Sequence, residues 1–140
     1  MKKFEEYVAK GIIQKRTNIG HKANFLKKEA EKSYQTLINI TQTITITRTS
    51  ANTIIKLCYD IILELIRAKL MQEGFSTTGL GAHEATIAFL QTKNWKEEDL
   101  LFLDQLRRFR NEIVYEGESL EEEYAQEVLT FTKKQYDKLR

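Results

Sequence analysis

The chain has 140 residues, 41% hydrophobic and 30% charged, with a formal charge of +2. That size carries one sizeable core, and that balance excludes disordered, collagen-like and low-complexity chains. There is no proline, so long helices are permitted throughout, and six glycines are few for the many turns of an all-β domain.

Phe4, Tyr7, Val8 and Gly11-Ile12 follow helical spacing and predict a short helix from Lys3 to about Lys15. Thr17-Asn18-Ile19-Gly20 breaks it. A second helix starts near His21, with Ala23, Leu26, Ala30, Tyr34, Leu37 and Ile38 as its buried stripe. Residues 41–49 alternate Thr and Ile with a strand-like period, but no second clear strand exists to pair with them. They are read as a weakly helical or bent connection. Thr49 or Ser50 is placed to cap the next helix.

That helix, Ala51 to about Glu73, is apolar over most of its circumference, as the central helix of a bundle must be. Lys56, Asp60, Glu64 and Arg67 form its one polar stripe, and intrahelical ion pairs account for them. Gly74 ends it. Phe75 to Ala82 reads as a loop, and His83 to Leu90 as a short helix. Asn94-Trp95-Lys96 turns into a helix from Glu97 to about Tyr115, with Phe102, Leu106, Phe109 and Ile113 facing the core. Gly117 is its stop, and Ser119 with Glu122 forms a capping box for a last helix from Leu120 to about Leu139. The expectation is an all-α, up-and-down bundle of about five to six helices, in a single helical domain spanning 1–140.

The chemistry available is limited. Cys58 is the only cysteine and cannot form an internal disulfide. Structural zinc needs about four Cys or His ligands, and only Cys58, His21 and His83 exist. Neither a metal nor a cofactor is expected. No window approaches the ~20 apolar residues of a membrane span, and Met1-Lys2-Lys3-Phe4-Glu5-Glu6 lacks a signal peptide's apolar core. A reducing, cytoplasmic setting fits. Charge is divided unevenly: residues 1–56 carry eleven Lys or Arg against four acids, and residues 57–140 eleven against sixteen. A local basic surface, or pairing with an acidic partner, is compatible with that division.

The densest polar cluster is Arg107-Arg108-Phe109-Arg110-Asn111, followed by Glu112-Ile113-Val114-Tyr115. Arg110-Asn111 followed by Ile-Val and an aromatic at a helix end resembles the signature of HEPN domains, in which an Arg and a polar residue precede a His. The helix from Ala51 to Gly74 resembles that family's central helix. Gly81-Ala82-His83 resembles its Gly-His entry into the next helix, and Glu118 to Leu139 its final amphipathic helix. The resemblance covers residues 50–140, a HEPN-like core behind N-terminal helices in 1–49. It implies a homodimer whose Arg motifs face each other across a cleft. It further implies binding of RNA or a nucleotide there, metal-independent RNA cleavage of the toxin type in many members, and in some a nucleotidyltransferase-type partner protein. A non-catalytic adaptor or antitoxin-like role is the remaining alternative.

Tyr115 stands where the family has His. Histidine exchanges protons near neutral pH, with a free pKa of ~6.5, and tyrosine, at ~10, does not. Cleavage is therefore doubtful, while Arg110 still suits a phosphate through two parallel hydrogen bonds. Arg110 and Tyr115 carry the motif, with Arg107, Arg108, Asn111 and His83 as ligand-binding candidates. Five residues at ~100° each leave Arg110 and Tyr115 about 140° apart, so their convergence requires the helix to loosen or a second subunit to contribute. Asn111 and Tyr115 share a face, which Arg108 joins. The alternative for the arginines is a solvated helix end matched to the dipole. For His83 it is packing or capping, and for Cys58 a core thiol.

Overall fold

The computed structural model describes residues 1–116 and 121–140, without side chains at 114–116. Among the described residues there are six α-helices and one two-stranded sheet. In order these are α1 (Phe4–Ala9), β1 (Ile13–Lys15), α2 (Gly20–Thr43), α3 (Ala51–Gln72), β2 (Phe75–Thr77), α4 (Ala82–Ala88), a 3-10 turn (Phe89–Lys93), α5 (Glu97–Glu116) and α6 (Glu122–Leu139). The all-α bundle expected from periodicity is the architecture observed. The Gly117 stop and the Ser119 cap lie outside the described residues.

α3 is the axis. Ile54, Ile55, Cys58, Tyr59, Ile61, Ile62, Leu65, Ile66 and Leu70 are each at most 1% exposed. α2 and α6 cover it on one side, and the Tyr34 and Tyr136 rings stack between those two at 3.5 Å. α4 and α5 cover it on the other. α5 buries Leu100, Leu103 and Leu106, with Phe102 and Phe109 half-buried against Tyr124 and Phe131 of α6. Burial pushes the Cys58 thiol up to about 11, the inert state of a core cysteine.

Two expectations fail at the N-terminus. The helix begun at Phe4 ends at Ala9, because Gly11 takes a positive φ of 74°. Ile13–Lys15 then pairs antiparallel with Phe75–Thr77, Gln14 opposite Ser76, where a loop was expected. The partner lies some sixty residues away, so no local pattern reports it. The Thr/Ile stretch behaves as read. α2 continues through Thr43, with Thr41 and Thr43 hydroxyls donating to the carbonyls of Leu37 and Asn39 four residues back, and the chain is then bent to Ser50. Ser50 holds the N-cap position of α3, but its hydroxyl accepts from the Thr47 N–H at 3.0 Å instead of from the helix.

Leu65, 1% exposed, fills the middle of this core. Leu65→Ala should lower the unfolding free energy by about 2–5 kcal/mol in urea titrations, through lost burial and the cavity left behind.

Candidate functional site

The β1–β2 pair and α3 fix the position of the Gly79-Leu80-Gly81 loop, which enters α4. Gly79 and Gly81 both have positive φ, 79° and 87°, which side chains resist. Against this loop lies the last half of α5. Between them is a cleft of about 440 Å³ lined by Gly79, Leu80, His83, Glu84, Arg107, Arg110 and Asn111 among others. Four of the six sequence candidates thus meet in one place, although His83 is more than twenty residues from the rest.

The three arginines fare differently. Asp104, 4% exposed, takes two of them. Arg107 donates to its Oδ1 from Nε at 3.0 Å and from Nη2 at 2.9 Å, and Arg108 donates to Oδ2 at 2.8 Å. Arg107 also stands 4.0 Å from Glu84, whose other oxygen accepts the Tyr7 hydroxyl at 2.5 Å. These contacts tie α1, α4 and α5 together. Arg108 is turned away from the cleft, over a separate depression beside Glu98, Leu101 and Gln105. Arg108 does not line the cleft with Asn111, and is paired instead with Asp104, four residues back.

Among the described residues Arg110 has no such partner. Its nearest carboxylate among them is Asp60 of α3, at 3.7 Å and half-exposed, beyond hydrogen-bonding distance. This contact also corrects the expectation for the polar stripe: Asp60 pairs across to α5, not within its own helix. The guanidinium lies 5.6 Å from the centre of the buried Tyr59 ring, and its Nε is buried without a hydrogen-bond partner. Arg110 is thus held by a ring face and a loosely placed carboxylate, with donors left over.

Tyr59 also meets His83. Its hydroxyl lies 3.4 Å from His83 Nδ1. Burial raises the Tyr59 pKa well above the tyrosine range, so the phenol keeps its proton and has it to give. Either the phenol donates to Nδ1 or an Nδ1–H donates to the phenol oxygen, according to the tautomer of the ring. Partial burial, and then Arg110 and Arg67 nearby, lower the His83 pKa, which keeps it neutral near pH 7. Burial likewise raises the Asp60 pKa against the pull of Arg110.

Tyr115 belongs to the part of α5 without described side chains. The backbone remains helical through Glu116, so the loosening expected near Tyr115 does not occur before that residue. Sequence reasoning missed Asp104, Glu84 and Tyr7. Asp104 was findable, since carboxylates three and four residues before arginines meet them on a helix. Glu84 and Tyr7 are brought together only by the fold. Among the described residues no group of three His, Cys, Asp or Glu could hold a metal ion. No helix among them is long and apolar enough to cross a membrane.

Comparison of the chain with protein-family models, with curated proteins and with solved structures finds no match.

The lowered His83 pKa has a testable sign. Between the folded value and ~6.5 the unfolded chain binds more protons, so stability should fall as pH drops through that window. NMR titration of the ring should place His83 below 6.5, and Arg110→Met should move it upward by removing the nearby positive charge that lowers it most.

Proposed function

We propose that the chain is a HEPN-like domain that binds a phosphate of RNA or of a nucleotide in the cleft of Arg110, Asn111 and His83. The observation that carries this reading is Arg110: a guanidinium on the wall of a cleft whose nearest carboxylate among the described residues is 3.7 Å away. A planar cation with spare donors is suited to two phosphate oxygens. Asn111 adds an amide donor. His83 adds an imidazole without a charge of its own. Arg107, neutralised by Asp104, contributes shape more than field.

The resemblance extends this proposal to a homodimer with Tyr115 close to the site, to a cytoplasmic location and to a nucleotidyltransferase-type partner. A second reading, metal-independent RNA cleavage, draws on the imidazole of His83 beside Arg110. Binding is the first reading because Tyr115 stands where the resembling family has its histidine, and tyrosine does not exchange protons near neutral pH.

Binding should be salt-dependent, and Arg110→Ala should weaken it by roughly tenfold or more, as loss of a charge-assisted hydrogen-bonding group does. Isothermal titration with adenosine monophosphate and with RNA measures this. Unchanged affinity in Arg110→Ala would remove the cleft from consideration. RNA cleavage in the presence of a chelator, lost in Arg110→Ala, would replace binding with the enzymatic reading.

A further inference from the structure

A second concave surface lies further along α3, where it meets the first turns of α2. It encloses about 520 Å³ and is lined by His21, Lys22, Phe25, Leu26, Arg67 and Met71. Phe25 is 64% exposed, unusual for a phenyl ring on a chain with a well-filled core. Among the described residues, neither Lys22 nor Arg67 forms an ion pair within 4 Å. An open aromatic ring among unpaired cations is the composition of a surface on which a nucleobase stacks while its phosphates are held.

The two sites share one face. The polar stripe of α3 passes Asp60, beside Arg110, and reaches Arg67 and then Met71 in the second surface. At a rise of ~1.5 Å per residue, Met71 stands about 16 Å along the axis from Asp60. Arg67 is near enough to His83 to influence its ring electrostatically. A mononucleotide cannot occupy both ends of such a face, and an extended strand can. Glu64 lies between them, with its pKa raised by partial burial and by Asp60. A carboxylate there repels phosphate and accepts from ribose hydroxyls, so the phosphates belong at the two ends.

We infer that the ligand of this face is single-stranded RNA, one phosphate held in the Arg110 cleft and a base further along the strand stacked on Phe25 between Lys22 and Arg67. The inference rests on the phosphate-binding reading of the cleft and adds a second subsite to it. An apolar protein segment is the other occupant such a groove could take. The unpaired cations and the continuity with the cleft favour the nucleic acid.

The test compares adenosine monophosphate with a series of longer oligoadenylates, by titration against wild type, Phe25→Ala, Phe25→Trp and Arg110→Ala. Affinity should rise with length in the wild type. Phe25→Ala should cut the affinity of the longer strands by roughly five- to hundredfold, the range for loss of one stacked base. It should leave monophosphate affinity unchanged, and Phe25→Trp should restore the gain. Phe25 is exposed, so these variants should fold, which circular dichroism checks. A length gain that survives in Phe25→Ala, or no gain in the wild type, overturns the second subsite and leaves the cleft standing. Monophosphate affinity indifferent to Arg110→Ala overturns the cleft itself.

Discussion

A helix buried on nearly every side must bring its polar atoms to the surface along a single line. α3 is such a helix. Its apolar residues face α2, α6, α4 and α5 in turn, and what remains is the stripe of Lys56, Asp60, Glu64 and Arg67. Everything charged that these neighbours place near α3 must lie along that stripe or be neutralised elsewhere. Arg110 from α5 arrives beside Asp60, and His21, Lys22 and Phe25 from α2 arrive further along, beside Arg67. The candidate site follows from how much of α3 is consumed by the core.

Neutralisation then decides which arginines are free to act. A carboxylate as buried as Asp104 must be satisfied, and it is satisfied by the two guanidinia that its own helix places three and four residues later. The outcome is a fixed network, Arg108 to Asp104 to Arg107, extended by Glu84 to Tyr7. It ties the first helix to the wall of the cleft. Arg110, six residues after Asp104, falls outside its reach. It rests on the Tyr59 ring instead, and a ring face stabilises a cation without occupying its hydrogen-bond donors.

The helices were legible because each has its own period. The apolar circumference of α3, the stripe of α2 and the stop at Gly74 can be read from local spacing alone. The β1–β2 pair was not legible, since three-residue strands carry almost no pattern and their partners meet only after α2 and α3 have packed. The cleft was legible in part. Arg110, Asn111 and Arg107 stand out as a cluster, and His83 as a histidine beside glycines. Spacing alone put Arg108 with Asn111, and only Asn111 lines the cleft, Arg108 being paired with Asp104. The pairing of Asp60 with Arg110 was hidden behind simpler intrahelical partners at the right intervals. There a contact between distant segments outcompeted one that the local sequence permitted.

The same competition bears on the chemistry of the cleft. A histidine beside an arginine invites a catalytic reading, but the tyrosine beneath it changes which nitrogen is available. Tyr59 is buried by the same packing that makes α3 the axis of the bundle, and burial keeps its proton in place. Its hydroxyl lies 3.4 Å from His83 Nδ1, and the imidazole, lacking charge, contributes little field of its own. Arg110 supplies the charge instead. In the proposed binding site one group attracts the anion and another hydrogen-bonds it.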